Sequence, residues 1–386
     1  MNALPDNARL VSLDAFRGFT IASMVLVNNP GDWSNLYPPL AHAAWNGWTF
    51  TDWIFPFFLF ICGVSMCLSL NRRTENGANK PVLLMQLAKR AALIFLIGFL
   101  AHLVPHFNFS TVRIPGVLQR IALCILLAAP IVLYFSWKQQ CLWIVGLLAT
   151  YTGLMLFVPV PDTQGRIAAG VLEPGRDVGA YVDRLLMGGH LWAKSKTWDP
   201  EGLVSTLPAL CSLLFGVLAG HGLLSTSSNT KKTLWLVVAG LIGLGVGIML
   251  DGTLMPINKS LWTTSYCIFM TGWALLLFAV FYWLIDANGS ALLRKKAQWV
   301  FQPFTIFGMN ALFIFVLSGF IAKMLGTIKL TQETGSILSL KNQVYAPFMA
   351  LPVSPQTASL LYALVFNALM FAVAWAMWKR KWFVKV

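Results

Sequence analysis

Ten runs of mostly apolar residues dominate the sequence, and each has the roughly 20 residues needed to cross the hydrocarbon core of a bilayer. Lipid offers no hydrogen-bond partner to free backbone N–H and C=O groups, so each run is predicted to be a helix. The sequence therefore predicts an all-α polytopic membrane protein with about ten transmembrane helices, in which residues 1–386 form one transmembrane domain. The runs lie at 11–29, 50–70, 82–104, 115–135, 141–160, 203–223, 233–250, 261–284, 298–321 and 356–378.

The composition excludes a soluble enzyme. Hydrophobic residues make up 57% of the chain and charged residues 11%, whereas charged residues make up about 25% of a soluble domain. The six cysteines fall almost wholly inside the apolar runs and show no paired or Cys/His spacing, so we expect small buried side chains and neither disulfides nor a metal site.

The net charge of +14 follows the membrane topology. If both termini are cytoplasmic, sixteen Lys and Arg residues lie on the cytoplasmic side beside three acids, while ten lie on the other side beside nine acids. This distribution fits the positive-inside rule, so we expect no nucleic-acid partner. The long outer segments, which include loops 161–202 and 322–355, predict recognition of something outside the cytoplasm.

Ionisable residues inside the runs are costly in lipid and are therefore candidate functional residues. Asp14 and Arg17 share one face of the first helix, either as a structural ion pair or as a ligand contact. Lys89 and Arg90 either extend to the inner surface or bind a phosphorylated cytosolic ligand.

Arg120 lies about 10 Å inside the outer end of the fourth run, counting 1.5 Å of rise per residue. It needs a carboxylate, a carbonyl or water there. Asp52 is one plausible partner, and a purely structural pair is the alternative.

His42 is the histidine best placed for chemistry, because it lies in an outer loop fourteen residues after Asn28. Histidine exchanges a proton near neutral pH, although a lone loop histidine is commonly structural or solvated. The string LAHAAWNGWTFTDW at 40–53 surrounds it with aromatic and polar side chains that suit a sugar ring. These side chains are Trp45, Asn46, Trp48, Asp52 and Trp53.

Several strings of the sequence resemble the heparan-α-glucosaminide N-acetyltransferase family along nearly the whole chain. They are RLVSLDAFRGFTIASMVLVNN at 9–29, HAAWNGWTFTDWIFPFFLFICGVS at 42–65, RIPGVLQRIAL at 113–123, WDPEGLVSTLPA at 198–209, INKSLWTTSY at 257–266 and FGMNALFIF at 307–315. The compact length resembles that of bacterial homologues, which implies a bacterial inner membrane, and the family also implies a homodimer.

The resemblance implies transfer of acetyl from cytosolic acetyl-CoA to the amine of a glucosamine-type acceptor across the membrane. It places the catalytic histidine on His42 and the nearby asparagine and aspartate on Asn28 and Asp52. The expected acetyl-CoA contacts, taken from charge and depth, are Arg17, Lys89, Arg90 and Arg120. The expected acceptor contacts are Trp45, Asn46, Trp48 and Asn310. The stretch NNPGDWSNLYPPLA at 28–41 departs from the family pattern, which leaves the size of the acceptor open.

In this interpretation His42 removes the proton of the acceptor ammonium, Asp52 orients the imidazole, and Asn28 donates to the thioester oxygen. A ternary complex is favoured over an acetylated His42, because an acetyl-imidazole facing water would hydrolyse. An amino-sugar permease without acyl transfer is the alternative function; it predicts internal repeats, which the sequence does not show. A noncatalytic scaffold fits the buried polar residues poorly.

Overall fold

The computed structural model describes residues 10–331 and 337–384, and most of them are helical. Two short antiparallel hairpins interrupt the helices: β1 Val160–Pro161 with β2 Ile167–Ala168, and β3 Lys329–Thr331 with β4 Ile337–Ser339. The helices are α1 Val11–Asn28, α2 Phe50–Glu75, α3 Lys80–Leu103, α4 Val117–Tyr134, α5 Trp137–Phe157, α6 Val178–Met187, α7 Thr206–Leu224, α8 Asn229–Thr253, α9 Thr264–Tyr282, α10 Ala291–Val300, α11 Gln302–Met309, α12 Ala311–Thr327, α13 Leu340–Met349 and α14 Pro355–Lys379.

Within the described ranges, nine helices are long and apolar enough to cross a membrane, and there are ten candidate spans if the bent pair α11 and α12 counts as one. The prediction of an all-α polytopic membrane protein with about ten transmembrane helices is therefore confirmed. The placement of both termini in the cytoplasm stays a prediction.

The apolar run 298–321 is divided among three helices. Helix α10 ends at Val300, and α11 meets α12 at an angle of 81°. Asn310 lies at the corner with non-helical backbone angles (φ −124°, ψ 34°). Its side-chain amide donates to the carbonyl of Trp382 and accepts from the N–H of Val384, so the corner is tied to the C-terminal segment.

The centre of the bundle is formed by α1, α2, α7 and α9, whereas α3, α5 and α8 lie at the periphery and are mostly unburied. Helices α1 and α11 cross in backbone contact at two glycines. A Cβ atom on Gly18 would lie 1.6 Å from the carbonyl oxygen of Phe304, and one on Gly308 would lie 2.0 Å from that of Asp14. Only glycine fits at such distances.

The two largest outer loops contain short ordered elements. The first, 161–202, holds helix α6, whose N-terminus is capped by the buried carboxylate of Asp177 through the N–H of Ala180. The second, 322–355, holds the end of α12, the β3–β4 hairpin and α13. The β3–β4 connection, residues 332–336, lies outside the described residues.

Candidate active site

The start of helix α2 fixes the carboxylate of Asp52 beside His42. Thr49 and Asp52 form a capping box, in which Oδ2 of Asp52 accepts the N–H of Thr49 at 2.9 Å. The same oxygen accepts the N–H of Ala43 at 3.1 Å. The other oxygen, Oδ1, is thereby directed to Nδ1 of His42 at 2.7 Å.

This contact sets the tautomer of His42. Asp52 is fully buried and acceptor-only when ionised, so Nδ1 of His42 donates to it and Nε2 keeps its lone pair. Nearly half of the His42 side chain, 47%, is exposed, so the imidazole is accessible at the surface of the protein. The arrangement is that of an oriented general base.

Lys259 completes the cluster, and it was not among the site residues predicted from the sequence. Its Nζ lies 3.2 Å from Nε2 and 3.3 Å from Nδ1 of His42, and 4.0 Å from Oδ1 of Asp52. Burial lowers the pKa of Lys259 below that of an ordinary lysine, while the charges of Asp52 and Glu201 oppose this shift. The sequence signal that could have identified Lys259 is its position in the string INKSLWTTSY at 257–266.

The loop that carries His42 is hydrogen-bonded to a loop that is distant in sequence. The N–H of Gly47 donates to the carbonyl of Ile257 at 2.7 Å, and the amide of Asn258 donates to Oδ1 of Asn46 at 3.1 Å. Asn258 is fully buried. Asn46, predicted to contact the acceptor, therefore joins the His42 loop to the loop that carries Lys259.

The predicted aromatic contacts Trp45 and Trp48 flank Asn46 in the sequence and pack against other tryptophans. Trp48 stacks on Trp53 with ring centroids 5.6 Å apart, and more than a third of Trp48 is exposed. Trp45 meets Trp198 edge to face at 5.2 Å and donates its indole N–H to the carbonyl of Leu172. Both tryptophans are close in sequence to His42 and carry apolar faces at the surface of the protein.

A buried ion-pair network borders the site. Arg113 donates to Asp199 at 2.8 Å and lies 2.5 Å from Glu201. Burial disfavours the charged form of Glu201, yet the positive charge of Arg113 holds its pKa below the usual value. Burial also raises the pKa of Asp183 to about 7, and its oxygen accepts the N–H of Leu203.

Arg120 does not pair with Asp52, so that expected partnership is wrong. The guanidinium of Arg120 donates to the carbonyl of Gly202 at 2.9 Å and to the hydroxyl of Ser205, and it faces the ring of Trp262 at 5.3 Å. The reason is that Asp52 turns toward its own loop to cap α2 and bind His42. Within the described residues, Nε and Nη1 of Arg120 have no hydrogen-bond partner.

Three of the predicted acetyl-CoA contacts lie toward the other end of the bundle. Arg17 donates to Asp14 at 3.0 Å and to the hydroxyl of Ser65 at 2.6 Å. Arg90 is exposed on α3 and lies close enough to act electrostatically on Cys62 of α2, as Arg17 also does. Lys89 is exposed beside it.

The packing of α3 leaves part of α2 uncovered. Helix α3 packs along α4 rather than along α1 or α2. The side of α2 that carries Cys62, Ser65 and Ser69 is correspondingly half-buried to exposed in a helix that is otherwise mostly buried. A partly open polar strip therefore runs beside Arg17.

Two predicted residues lie apart from the His42 cluster. Asn28 is the exposed last residue of α1, and no described hydrogen bond joins its side chain to His42 or Asp52. Asn310 is buried and binds the C-terminal segment, as described above. The structure thus brings together His42, Asp52, Asn46 and Lys259, with Trp45 and Trp48 beside them.

Comparison with known proteins agrees with the family named from the sequence strings. Residues 9–185 match a family model described as heparan-alpha-glucosaminide N-acetyltransferase, catalytic. The chain is 31% identical over 370 residues to the Homo sapiens heparan-alpha-glucosaminide N-acetyltransferase, a match that covers 82% of this chain and 53% of that protein. The Mus musculus protein of the same name is 30% identical over 362 residues, covering 80% and 53%. The chain thus spans about half the length of these relatives.

Proposed function

Because the chain belongs to the heparan-alpha-glucosaminide N-acetyltransferase family, we propose that it transfers an acetyl group from acetyl-CoA to the amine of a glucosamine-type sugar. The observation that carries this proposal is the 2.7 Å contact between Nδ1 of His42 and the buried carboxylate of Asp52. That contact leaves Nε2 as the basic nitrogen of a half-exposed imidazole in a loop rich in tryptophan. Acetyl transfer to an amine requires such a base.

His42 acts on the acceptor. Its Nε2 takes a proton from the acceptor nitrogen, and the carboxylate of Asp52 stabilises the imidazolium that forms. The new bond joins the acceptor nitrogen to the acetyl carbon, and the bond from that carbon to sulfur breaks. His42 then returns the proton to the departing thiolate, so the imidazole is restored at the end of the cycle.

We propose that acetyl-CoA, the donor substrate, binds along the partly open strip on α2. Arg17 and Arg90 offer guanidinium groups suited to phosphate, and the strip of Cys62, Ser65 and Ser69 offers space beside them. Arg17 and Asn28 are eleven residues apart on α1, which places them on one face about 16 Å apart. A thin pantetheine arm lying along this face would carry the thioester from the basic end toward the His42 side.

The direction of transfer follows from the distribution of charge. We place both termini and the basic end in the cytoplasm, and His42 on the extracytoplasmic side of a bacterial inner membrane. The acetyl group crosses the membrane and the nucleotide does not. We also propose a homodimer in lipid, following the family.

The test is a comparison of His42→Ala with His106→Ala in purified, detergent-solubilised protein. His106 is an exposed histidine outside the cluster, so its variant controls for the substitution. With labelled acetyl-CoA and glucosamine or a short glucosamine oligomer, we expect His42→Ala to lose product formation by at least ~10²-fold, as for other general bases, while still binding acetyl-CoA.

Wild-type rates in His42→Ala would contradict the mechanism. No N-acetyl product from the wild-type protein, together with acetyl-CoA-independent counterflow of amino sugar in proteoliposomes, would favour a permease instead.

A further inference from the structure

Lys259 holds its ammonium over the face of the His42 imidazole. Nζ is almost equidistant from the two ring nitrogens, at 3.2 and 3.3 Å. If Nζ lay in the plane of the ring at these distances from both nitrogens, it would overlap Cε1. Nζ therefore lies above the plane. The lysine therefore leaves the lone pair of Nε2 free for a substrate.

The position of Lys259 is enforced by the fold. Asn258, the preceding residue, is fully buried and hydrogen-bonded to Asn46, and the Asn258 backbone pairs with Gly47. Only 20% of the Lys259 side chain is exposed. The charge is offset by Asp52 at 4.0 Å and by the nearby Glu201, which makes a buried cation tolerable there.

We propose that Lys259 is a catalytic residue that stabilises the oxyanion formed when the acceptor amine attacks the acetyl thioester. This inference rests on the proposed acetyl transfer. An amine bound to Nε2 of His42 would place the attacked carbon, and the oxygen that becomes negative, within reach of Nζ. The ammonium donates to that oxygen and gives up no proton, so His42 remains the base.

Lys259 thus takes the role that the sequence assigned to Asn28. Asn28 is exposed at the end of α1 without a described contact to the His42 cluster, whereas Lys259 is in direct contact with it. The cation also disfavours a positive charge on the incoming acceptor, whereas the imidazolium that forms on His42 is balanced by the carboxylate of Asp52 at 2.7 Å. The acceptor is therefore held as the neutral amine, which is the nucleophilic form.

The first test replaces Lys259 by methionine, which keeps the length of the side chain and removes the charge. We expect Lys259→Met to lower kcat by about 10²- to 10³-fold, the effect of losing one oxyanion donor. The Kd for acetyl-CoA stays near the wild-type value. Lys138→Met, at an exposed lysine in the first turn of α5, is the matched control with unchanged kcat.

Two further measurements separate a chemical role from a structural one. In the first, Lys259→Cys is alkylated with 2-bromoethylamine, which restores an ammonium at nearly the same place. Activity should recover, and wild-type protein treated in parallel is the control. In Lys259→Arg, whose charge persists at high pH, the alkaline fall of kcat should move to higher pH than in the wild type.

Each outcome decides one of the two proposals. Full kcat in Lys259→Met, or no recovery on alkylation of folded Lys259→Cys, overturns the role of Lys259 and leaves the proposed acetyl transfer standing. Absence of N-acetyl product from the wild-type protein overturns the acetyl transfer, and the role of Lys259 with it.

Discussion

The carboxylate of Asp52 serves two structures at once: Oδ2 caps helix α2 through Thr49, and Oδ1 binds Nδ1 of His42 at 2.7 Å. The orientation of the imidazole is therefore tied to the first turn of a buried helix. An imidazole held in this way is pre-oriented for the proposed role as a base.

Replacing Asp52 by asparagine should separate the capping of helix α2 from the orientation of His42. The amide keeps the size of the side chain and one capping oxygen, but it no longer stabilises an imidazolium or selects the Nδ1–H tautomer. We expect kcat to fall by at least ~10²-fold, by analogy with other His/Asp pairs. The melting temperature in detergent should change far less than it does in Asp52→Ala, and an unchanged kcat would refute the orienting role.

Arg17 should determine the affinity for the nucleotide part of the donor. In Arg17→Gln we expect KM for acetyl-CoA to rise about tenfold, because a charge-assisted bond of roughly 1.5 kcal/mol is lost. KM for a short acetyl thioester that lacks the nucleotide should not change. An equal loss with both donors would show that Arg17 acts only as the structural partner of Asp14.

The ion pairs of Arg113 and Arg166 should contribute very differently to the free energy of unfolding. Arg113 joins the buried carboxylates of Asp199 and Glu201, whereas 61% of the Arg166 side chain is exposed beside Asp162. Arg113→Met leaves two buried carboxylates without their cation and should cost about 3 to 5 kcal/mol. Arg166→Met should cost less than about 1 kcal/mol. Denaturant or thermal unfolding of the purified variants gives both values, and equal losses would contradict the burial argument.

Asp183 should make the stability of the protein depend on pH. Burial raises its pKa to about 7 in the folded protein, above the value of 3.8 expected when unfolded. The folded state then holds the extra proton between these values, so this contribution is fully present below pH 4 and is lost as pH rises through 7. Thermal unfolding from pH 4 to 8 should show a fall in stability that Asp183→Asn reduces. An identical pH profile in the variant would show that another group is responsible.

The apolar runs were sufficient to predict the fold class, because spanning a bilayer leaves helices as the structure for runs of this kind. The same runs did not reveal the corner at Asn310. The side chain of Asn310 at this corner binds the backbone of Trp382, seventy-two residues away. No local pattern records that contact.

Within the candidate site, the pairing of His42 with Asp52 was expected and is present, because both lie in one short loop and helix start. The roles of the two residues stay predictions. The sequence did not single out Lys259, because no local feature distinguishes it from the other lysines of the outer loops. Only the folded chain, in which the backbone of Ile257 is hydrogen-bonded to Gly47, brings Lys259 to His42. Arg120 was assigned the wrong partner because depth in the membrane says nothing about the direction of a side chain.

The contact between the His42 loop and the segment around Asn258 predicts how a truncated protein will behave. The matched catalytic region ends at residue 185, yet the ammonium above His42 and the amide that braces Asn46 both come from beyond that limit. A fragment ending there would retain the imidazole and its carboxylate but neither the cation nor the brace. Expressed alone it should be inert, and supplying the remaining helices as a separate polypeptide should restore turnover.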